Sequence, residues 1–375
     1  MADPVASRRS RAVEALAGHF GPNGNMVCVE RRAGFDLYHA DAAGRRVLVK
    51  VGPQPRLTRE AENLRRAGAV VGNLAPALLG FAATADDDAL LIMQYVAGVN
   101  LEPGGLTPAI WNGLVDGLMK LHGNPVGGAP TCAPLAEDFV TLSVGQERYA
   151  SLPRLRPLLR DAARRVAGLN AEAALALFDG LSNHVVGHQA VFQCSPRLVH
   201  ADLWPENVLV NGSRCWLVDW VWLKYSDYAL DLANLKLILD WVWPPWTAQL
   251  AFERLLQRYA RAFDDPGLIA RIGVLLPIVS LIHLVQFGQE GFEDPYNAAA
   301  MRACFATARR DRALWAHATP ARRLAYALTH QCPSENGAWD RVGLLGRARS
   351  AAARLAATTR SARHLRSPAS RDATE

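Results

Sequence analysis

The sequence predicts an α+β chain in two unequal lobes, and three observations predict it. The first hundred residues carry five short β-rich runs and one helix. Helical patterning takes over at Pro108. One polar loop near residue 200, flanked by apolar residues, then interrupts the helices.

Residues 1–20 suggest a short amphipathic helix. Val27 and Val29 then alternate with polar or small neighbours, and a loop from Arg31 to Asp36 contains Gly34. A second run covers Leu37 to Ala40, and Asp41 to Gly44 makes a turn. Val47-Leu48-Val49-Lys50-Val51 is rich in β-branched residues and reads as the strongest strand. These three runs predict an antiparallel meander. Arg59 to Arg66 carries helix formers and charge at helical spacing. Leu78 to Ala82 and Leu90 to Tyr95 read as two more strands, separated by Asp86, Asp87 and Asp88. The small lobe is therefore placed at 1–96, with five antiparallel strands and one helix inserted after the third.

The larger, mainly helical lobe is placed at 97–330. Pro108 to His122 reads as a helix, and helix continues to about 190. Short β segments surround Leu198 to Val210 and Cys215 to Val218, with Asn211-Gly212-Ser213 as the turn between them. The most apolar stretch, Ile272 to Phe287, is too short to span a bilayer and reads as a buried core helix.

The chain has 375 residues, 50% hydrophobic and 20% charged, enough for a large core without staples. Its net charge of +6 is not spread over the folded body. Residues 341–375 hold eight arginines against two acids, which accounts for the whole excess. That segment reads as a solvated, disordered tail, so no nucleic-acid partner is expected. The six cysteines, at 28, 132, 194, 215, 304 and 332, form no CxxC pair and no zinc spacing. No apolar run follows Arg8, Arg9 and Arg11, so no signal peptide is read there. The expected location is the cytoplasm, with no membrane partner.

The segment from Leu198 to Val210 presents Asp202 and Asn207 five residues apart in a polar loop. Seventeen residues after Asp202 comes Asp219, behind the β-like run Trp216-Leu217-Val218. Phosphoryl transfer needs such a set: one carboxylate to orient the attacking hydroxyl, and a carboxylate with an amide oxygen to hold magnesium. Magnesium prefers hard oxygen ligands of this kind. No GxxxxGK[ST] loop is present, which excludes a P-loop ATPase.

The loop resembles the catalytic loop of the aminoglycoside phosphotransferase and choline kinase family, small-molecule kinases with a two-lobed protein-kinase-like fold. The family's usual form is HGDxxxxN, followed by a strand ending in IDW or IDF. This chain has His200-Ala201-Asp202 with Asn207, then Val218-Asp219-Trp220. Ala201 replaces the usual glycine and is expected to matter little. The resemblance covers about residues 26–300 and implies roles. Asp202 is the catalytic residue; Asn207 and Asp219 bind Mg2+. Lys50 contacts the phosphates of ATP, with GTP as the alternative donor. Glu60 pairs with Lys50, in preference to Glu62 on another side of the helix. Gln94 and Val96, in Met93-Gln94-Tyr95-Val96-Ala97-Gly98, belong to a hinge that meets adenine. His200 and Asp231 support the catalytic loop. The phosphate-covering loop at Arg31 to Asp36 has one glycine and no GxGxxG; Arg31 or Arg32 offers charge there.

A small-molecule hydroxyl, not a protein, is the expected acceptor. Trp204 stands where protein kinases place a lysine, Trp220-Val221 replaces Phe-Gly, and no APE-like motif follows. Seven of the ten tryptophans fall between 204 and 246. Trp204, Trp220 and Trp222 are the candidates for an aromatic pocket wall, and Glu290, Glu293 and Asp294 for an acidic cluster facing a polycation. The expected activity is ATP- and Mg2+-dependent O-phosphorylation of an antibiotic or natural product. The alternative is a metabolite kinase for choline, an amino alcohol or a sugar. A third reading, of another class, is a nucleotide-binding pseudokinase regulator. Its usual sign is loss of the lysine, the catalytic aspartate or a metal ligand, and all are present here. The sequence leaves the oligomeric state open.

Overall fold

Period-two alternation sets up the small lobe. In the computed structural model the described residues run from 26 to 329, apart from 33–34, 43, 85–86, 103, 125–139, 143–147, 151, 193, 292–294 and 318. The helix expected within 1–20 and the arginine-rich segment 341–375 lie outside them. Strands β1 (Met26–Arg32), β2 (Phe35–Ala42), β3 (Arg45–Pro53), β4 (Leu78–Ala83) and β5 (Asp88–Gln94) form one antiparallel sheet, in the order β1-β2-β3-β5-β4. Val47, Val49 and Val51 of β3 join Tyr38, Ala40, Leu90 and Ile92 in a small core on one face. Alternation then turns Leu48 and Lys50 to the other face, where α1 (Gln54–Val71) packs with Leu57, Ala61, Leu64 and Ala67 buried.

Helix α1 is longer than the 59–66 expected. It leaves β3 directly, with Pro55 in its first turn, where the missing N–H costs nothing. It ends at Gly72, whose φ of 58° suits glycine. The connection between β1 and β2 is shorter than the expected loop at 31–36, since Arg32 already pairs with Phe35.

The large lobe begins at β6 (Val99–Asn100) and continues through α2 (Pro108–His122), β7 (Val140–Leu142), β8 (Arg148–Ala150), α3 (Leu152–Arg165), α4 (Ala171–Gly187) and α5 (Gln189–Phe192). Next come β9 (Arg197–Val199), β10 (Val208–Asn211), β11 (Arg214–Leu217) and β12 (Lys224–Ser226). Then follow α6 (Ala229–Val242), α7 (Pro245–Phe263), α8 (Leu268–Gly291), α9 (Pro295–Trp315) and α10 (Pro320–Thr329). β7 and β8 pair with each other inside the stretch expected to be helical. β6 pairs with β10 and so ties the chain leaving the small lobe to the β10–β11 hairpin. A Cβ at Gly98 would lie 3.1 Å from the Val210 carbonyl oxygen, so this close approach favours glycine.

Helix α8 corrects one expectation. It has 24 residues with Pro277 inside it, and Leu268–Gly288 is long and apolar enough to cross a membrane by length and composition. Its surroundings make it a core helix: 78% of its most apolar window is buried within the protein, against α9, α6, α3 and α4. Near its start the buried Arg271 forms ion pairs with Asp227 at 2.7 Å and Asp265 at 2.5 Å.

Candidate active site

Lys50 reaches the interface of the lobes because β3 turns it towards α1. Its ammonium donates to Glu60 Oε1 at 3.0 Å and Oε2 at 2.8 Å, and to Asp219 Oδ1 at 3.2 Å. Glu62, two residues further along α1, is exposed. Asn63 lies about one turn beyond Glu60, and its side-chain amide donates to the carbonyls of Trp220 and Val221, both at 3.1 Å. Helix α1 is thereby fastened to the chain that follows Asp219. Asp219 itself is left-handed, with φ 60° and ψ 63°, a conformation aspartate tolerates better than most residues.

The catalytic-loop candidates are held from behind. Asp231, in the first turn of α6, accepts the backbone N–H of His200 at 2.7 Å and of Ala201 at 2.9 Å. It also accepts from His122 Nε2 at 3.0 Å, and Tyr259 meets His122 Nδ1 at 2.8 Å. His200 donates from Nε2 to the Val218 carbonyl at 3.1 Å and accepts the Asp202 amide on Nδ1 at 3.3 Å. The Asn207 amide nitrogen donates to the Asp202 carbonyl at 2.9 Å and to its carboxylate at 3.0 Å. Val218 N–H returns to the Asn207 carbonyl at 3.0 Å, which sets Asn207 beside Asp219 along the chain path.

Ala201 matters more than its size suggested. Its φ is 65°, in the left-handed region. Glycine takes that conformation freely, whereas alanine takes it at a cost of about 1 kcal/mol. Asp231 holds the amides of His200 and Ala201, His200 Nδ1 holds that of Asp202, and these bonds offset that cost.

The Asp202 and Asp219 carboxyls are shifted in opposite directions. Burial, and then the charge of Asp219, push Asp202 up to about 7. Burial also works to raise Asp219, but Lys50 and Arg56 outweigh it and hold Asp219 below the usual carboxylate range. Lys50 is penalised by burial and still rises, because Asp219 and Glu60 stabilise its charge. The site therefore holds one carboxylate secured as an anion and one that exchanges a proton near neutrality.

These groups suit a hard divalent cation shared with a phosphate chain. No cluster of three or more His, Cys, Asp and Glu residues poised for a metal occurs among the described residues. Asn207 spends its amide nitrogen on Asp202 and keeps an oxygen for a cation. Asp219 spends Oδ1 on Lys50 and keeps Oδ2. Two protein oxygens fit magnesium, which retains waters and takes phosphate oxygens rather than a full protein cage.

Two residues after Asp202, Trp204 stacks on His283 of α8, with ring centres 4.2 Å apart, and tilts against Phe287 at 6.4 Å. Burial pushes His283 down to about 4, so its ring is neutral, and it meets Asn234 at 3.4 Å. Trp220 and Trp222 are corrections to the expected pocket. Trp220 is 1% exposed, donates its indole N–H to the Leu217 carbonyl at 2.7 Å, and packs edge-on against His200. Trp222 is 8% exposed. Both rings belong to the core. Glu293 and Asp294 lie outside the described residues, as does the side chain of Glu290. Of the other large-lobe acids, Asp227 and Asp265 are spent on Arg271, and Asp240 on Lys236 and Arg310. At the expected hinge, the exposed Gln94 side chain accepts from Ala77 N–H at 3.2 Å, and the Val96 carbonyl accepts from Gly98 N–H at 2.9 Å. A cavity of about 690 Å³ opens elsewhere, between the end of α1, α2 and β11, and shares no residue with this set.

Asn63, His122 and Tyr259 were not singled out in the sequence. Their partners lie 109 to 158 residues away, and no local spacing marks them.

Solved structures share this architecture. A thermostable mutant of aminoglycoside phosphotransferase APH(4)-Ia, in ternary complex with AMP-PNP and hygromycin B, is similar with a TM-score of 0.53 and 18% identity, over 82% of this chain and 99% of its own. A choline/ethanolamine kinase family protein from Mesorhizobium loti gives a TM-score of 0.52 and 18% identity, over 87% and 99%. Choline kinase LicA from Streptococcus pneumoniae gives 0.53 and 15%, over 80% and 96%. At these identities the likeness carries the fold, which is two-lobed and protein-kinase-like. A sequence comparison with curated proteins finds no match. Residues 29–270 match the phosphotransferase enzyme family, and the chain belongs to it as a small-molecule phosphotransferase.

Proposed function

We propose that the protein transfers the terminal phosphoryl group of ATP to a hydroxyl of a small molecule, with magnesium. The observation that carries this reading is two side-chain pairs, Asn207 with Asp202 at 2.9 and 3.0 Å and Lys50 with Asp219 at 3.2 Å, whose chain segments meet where Val218 N–H donates to the Asn207 carbonyl at 3.0 Å. In the proposed reaction Asp202 orients the acceptor hydroxyl and takes up its proton as the oxygen attacks phosphorus. Burial, which raises the basicity of the Asp202 carboxyl, suits that exchange. Lys50, steadied by Glu60, faces the phosphates, and the backbone of 94–98 meets the base. Asn207 and Asp219 would hold the magnesium, which when bound supplies positive charge against the phosphate oxygens. His200 and Asp231 keep the loop in its strained shape.

The leading acceptor is an antibiotic or natural product. The likeness to an aminoglycoside phosphotransferase that binds hygromycin B supports it. A second reading, a kinase for choline, an amino alcohol or a sugar, is favoured by the Trp204 stack. Aromatic faces attract ammonium groups and also pack against sugar rings. We place the enzyme in the cytoplasm; Cys28, Cys194, Cys215 and Cys304 form no disulfide, in keeping with a reducing compartment. The test is a panel of antibiotics, natural products, amino alcohols and sugars offered with Mg–ATP. ADP release and a product heavier by one phosphoryl group are expected with the wild type and lost in Asp202→Ala. Equal behaviour of the two proteins would favour the nucleotide-binding regulator instead.

A further inference from the structure

Lys50 has no donor to spare. An ammonium carries three N–H groups, and three contacts take them: both oxygens of Glu60 and Oδ1 of Asp219. A phosphate chain arriving at this lysine meets a cation already shared by two carboxylates.

A second cation stands beside it. Arg56 lies four residues before Glu60 on α1, on the same side of the helix. Its guanidinium carbon is 5.3 Å from the centre of the Phe35 ring, and Lys50 Nζ is 4.4 Å from the centre of the same ring. Phe35 opens β2 immediately after the short connection from β1 and is 8% exposed. One aromatic ring thus gathers both cations at the mouth of the nucleotide side. The charge of Arg56 is felt by Lys50, Glu60 and Asp219 alike. Yet its Nε is buried with no hydrogen-bond partner among the described residues. Buried polar nitrogens are seldom left unpaired, so one beside Lys50 and Asp219 calls for a partner. A guanidinium also suits the task, because its fixed fork of donors matches phosphate oxygens.

We propose that Arg56 is a second phosphate-binding residue of the cleft, which takes the terminal oxygens of the nucleotide's phosphate chain while Lys50 stays tied to Glu60. It supplies the charge that the sequence alone placed at Arg31 or Arg32. The proposal rests on the phosphotransfer reading above.

The experiment is calorimetric titration of the full chain, as wild type, Arg56→Gln and Arg56→Lys, with Mg–AMP-PNP, Mg–ADP and adenosine. Arg56→Gln is expected to weaken AMP-PNP binding about tenfold, the scale of one charge-assisted hydrogen bond, and ADP binding less. Adenosine binding stays as in the wild type, and Arg56→Lys recovers part of the loss. Unchanged AMP-PNP binding in Arg56→Gln overturns the proposal. So does an equal loss for adenosine, which would show a disturbed lobe rather than a lost phosphate contact. A wild type that binds none of the three ligands is a different result: it overturns the phosphotransfer reading, and this proposal with it.

Discussion

The two sides of Asp202 are built on different terms. Towards the nucleotide side, charged and hydrogen-bonded partners fix each group: Lys50 by Glu60 and Asp219, Asn207 by Asp202, His200 by Val218. Towards α8 the partners are rings. Trp204 rests on a neutral His283 and on Phe287, and His283 in turn meets Asn234, at a long 3.4 Å, and Gln286. The difference is chemical. Phosphoryl transfer requires charges at fixed points, so those side chains are over-determined. In the proposed reading, choice of acceptor requires a shaped surface, which ring packing would supply and which could change without harm to the transfer machinery.

That contrast breaks most sharply at Asp202 itself. Asp202→Asn is expected to lower phosphotransfer about 10³-fold while Mg–nucleotide affinity changes only slightly, measured by turnover and by titration. A large loss of nucleotide binding would mean that the two sides are not separable. Trp204→Ala probes the other side. It should raise KM for the acceptor about tenfold, with nucleotide affinity unchanged. An effect on the nucleotide alone would reverse the assignment of sides.

The protonation of Asp202 gives a smaller effect with a definite sign. The unfolded chain releases this proton near its ordinary 3.8, and the folded, ligand-free protein only near about 7. The folded form binds the proton more tightly, so stability falls as pH rises across that window. Asp202→Asn is spared the fall. Its urea midpoint relative to wild type should be higher at about pH 8 than at about pH 5; equal differences at the two pH values would show that burial does not hold the proton. The smallest change is at the loop's strained joint. Ala201→Gly should stabilise the protein by about 0.5–1 kcal/mol, read as a rise in thermal midpoint, because φ 65° costs glycine nothing.

The same contrast explains what could be read from the sequence. Strand β3 was legible because Val47, Val49 and Val51 alternate with Leu48 and Lys50. Asp202, Asn207 and Asp219 were legible as a spacing, since all three sit within one loop and the hairpin that follows. Burial was harder to read. Trp220 and Trp204 look alike in sequence, yet one is locked by a hydrogen bond to Leu217 and the other stacks beside Asp202's loop. Pairings such as β6 with β10, and braces such as His122 on Asp231, join segments about a hundred residues apart, and nothing local records them. Ala201 read as a conservative change because side-chain size is visible in a sequence and φ is not.

Convergence of Asn207 and Asp219 on one divalent ion beside the phosphates remains the claim on which the rest hangs. Manganese(II), titrated in magnesium's place and followed by electron paramagnetic resonance with AMP-PNP present, tests it directly. Nucleotide-dependent capture of the ion by the wild type, lost in both Asn207→Ala and Asp219→Asn, is the predicted result. Undiminished capture by either variant would contradict it.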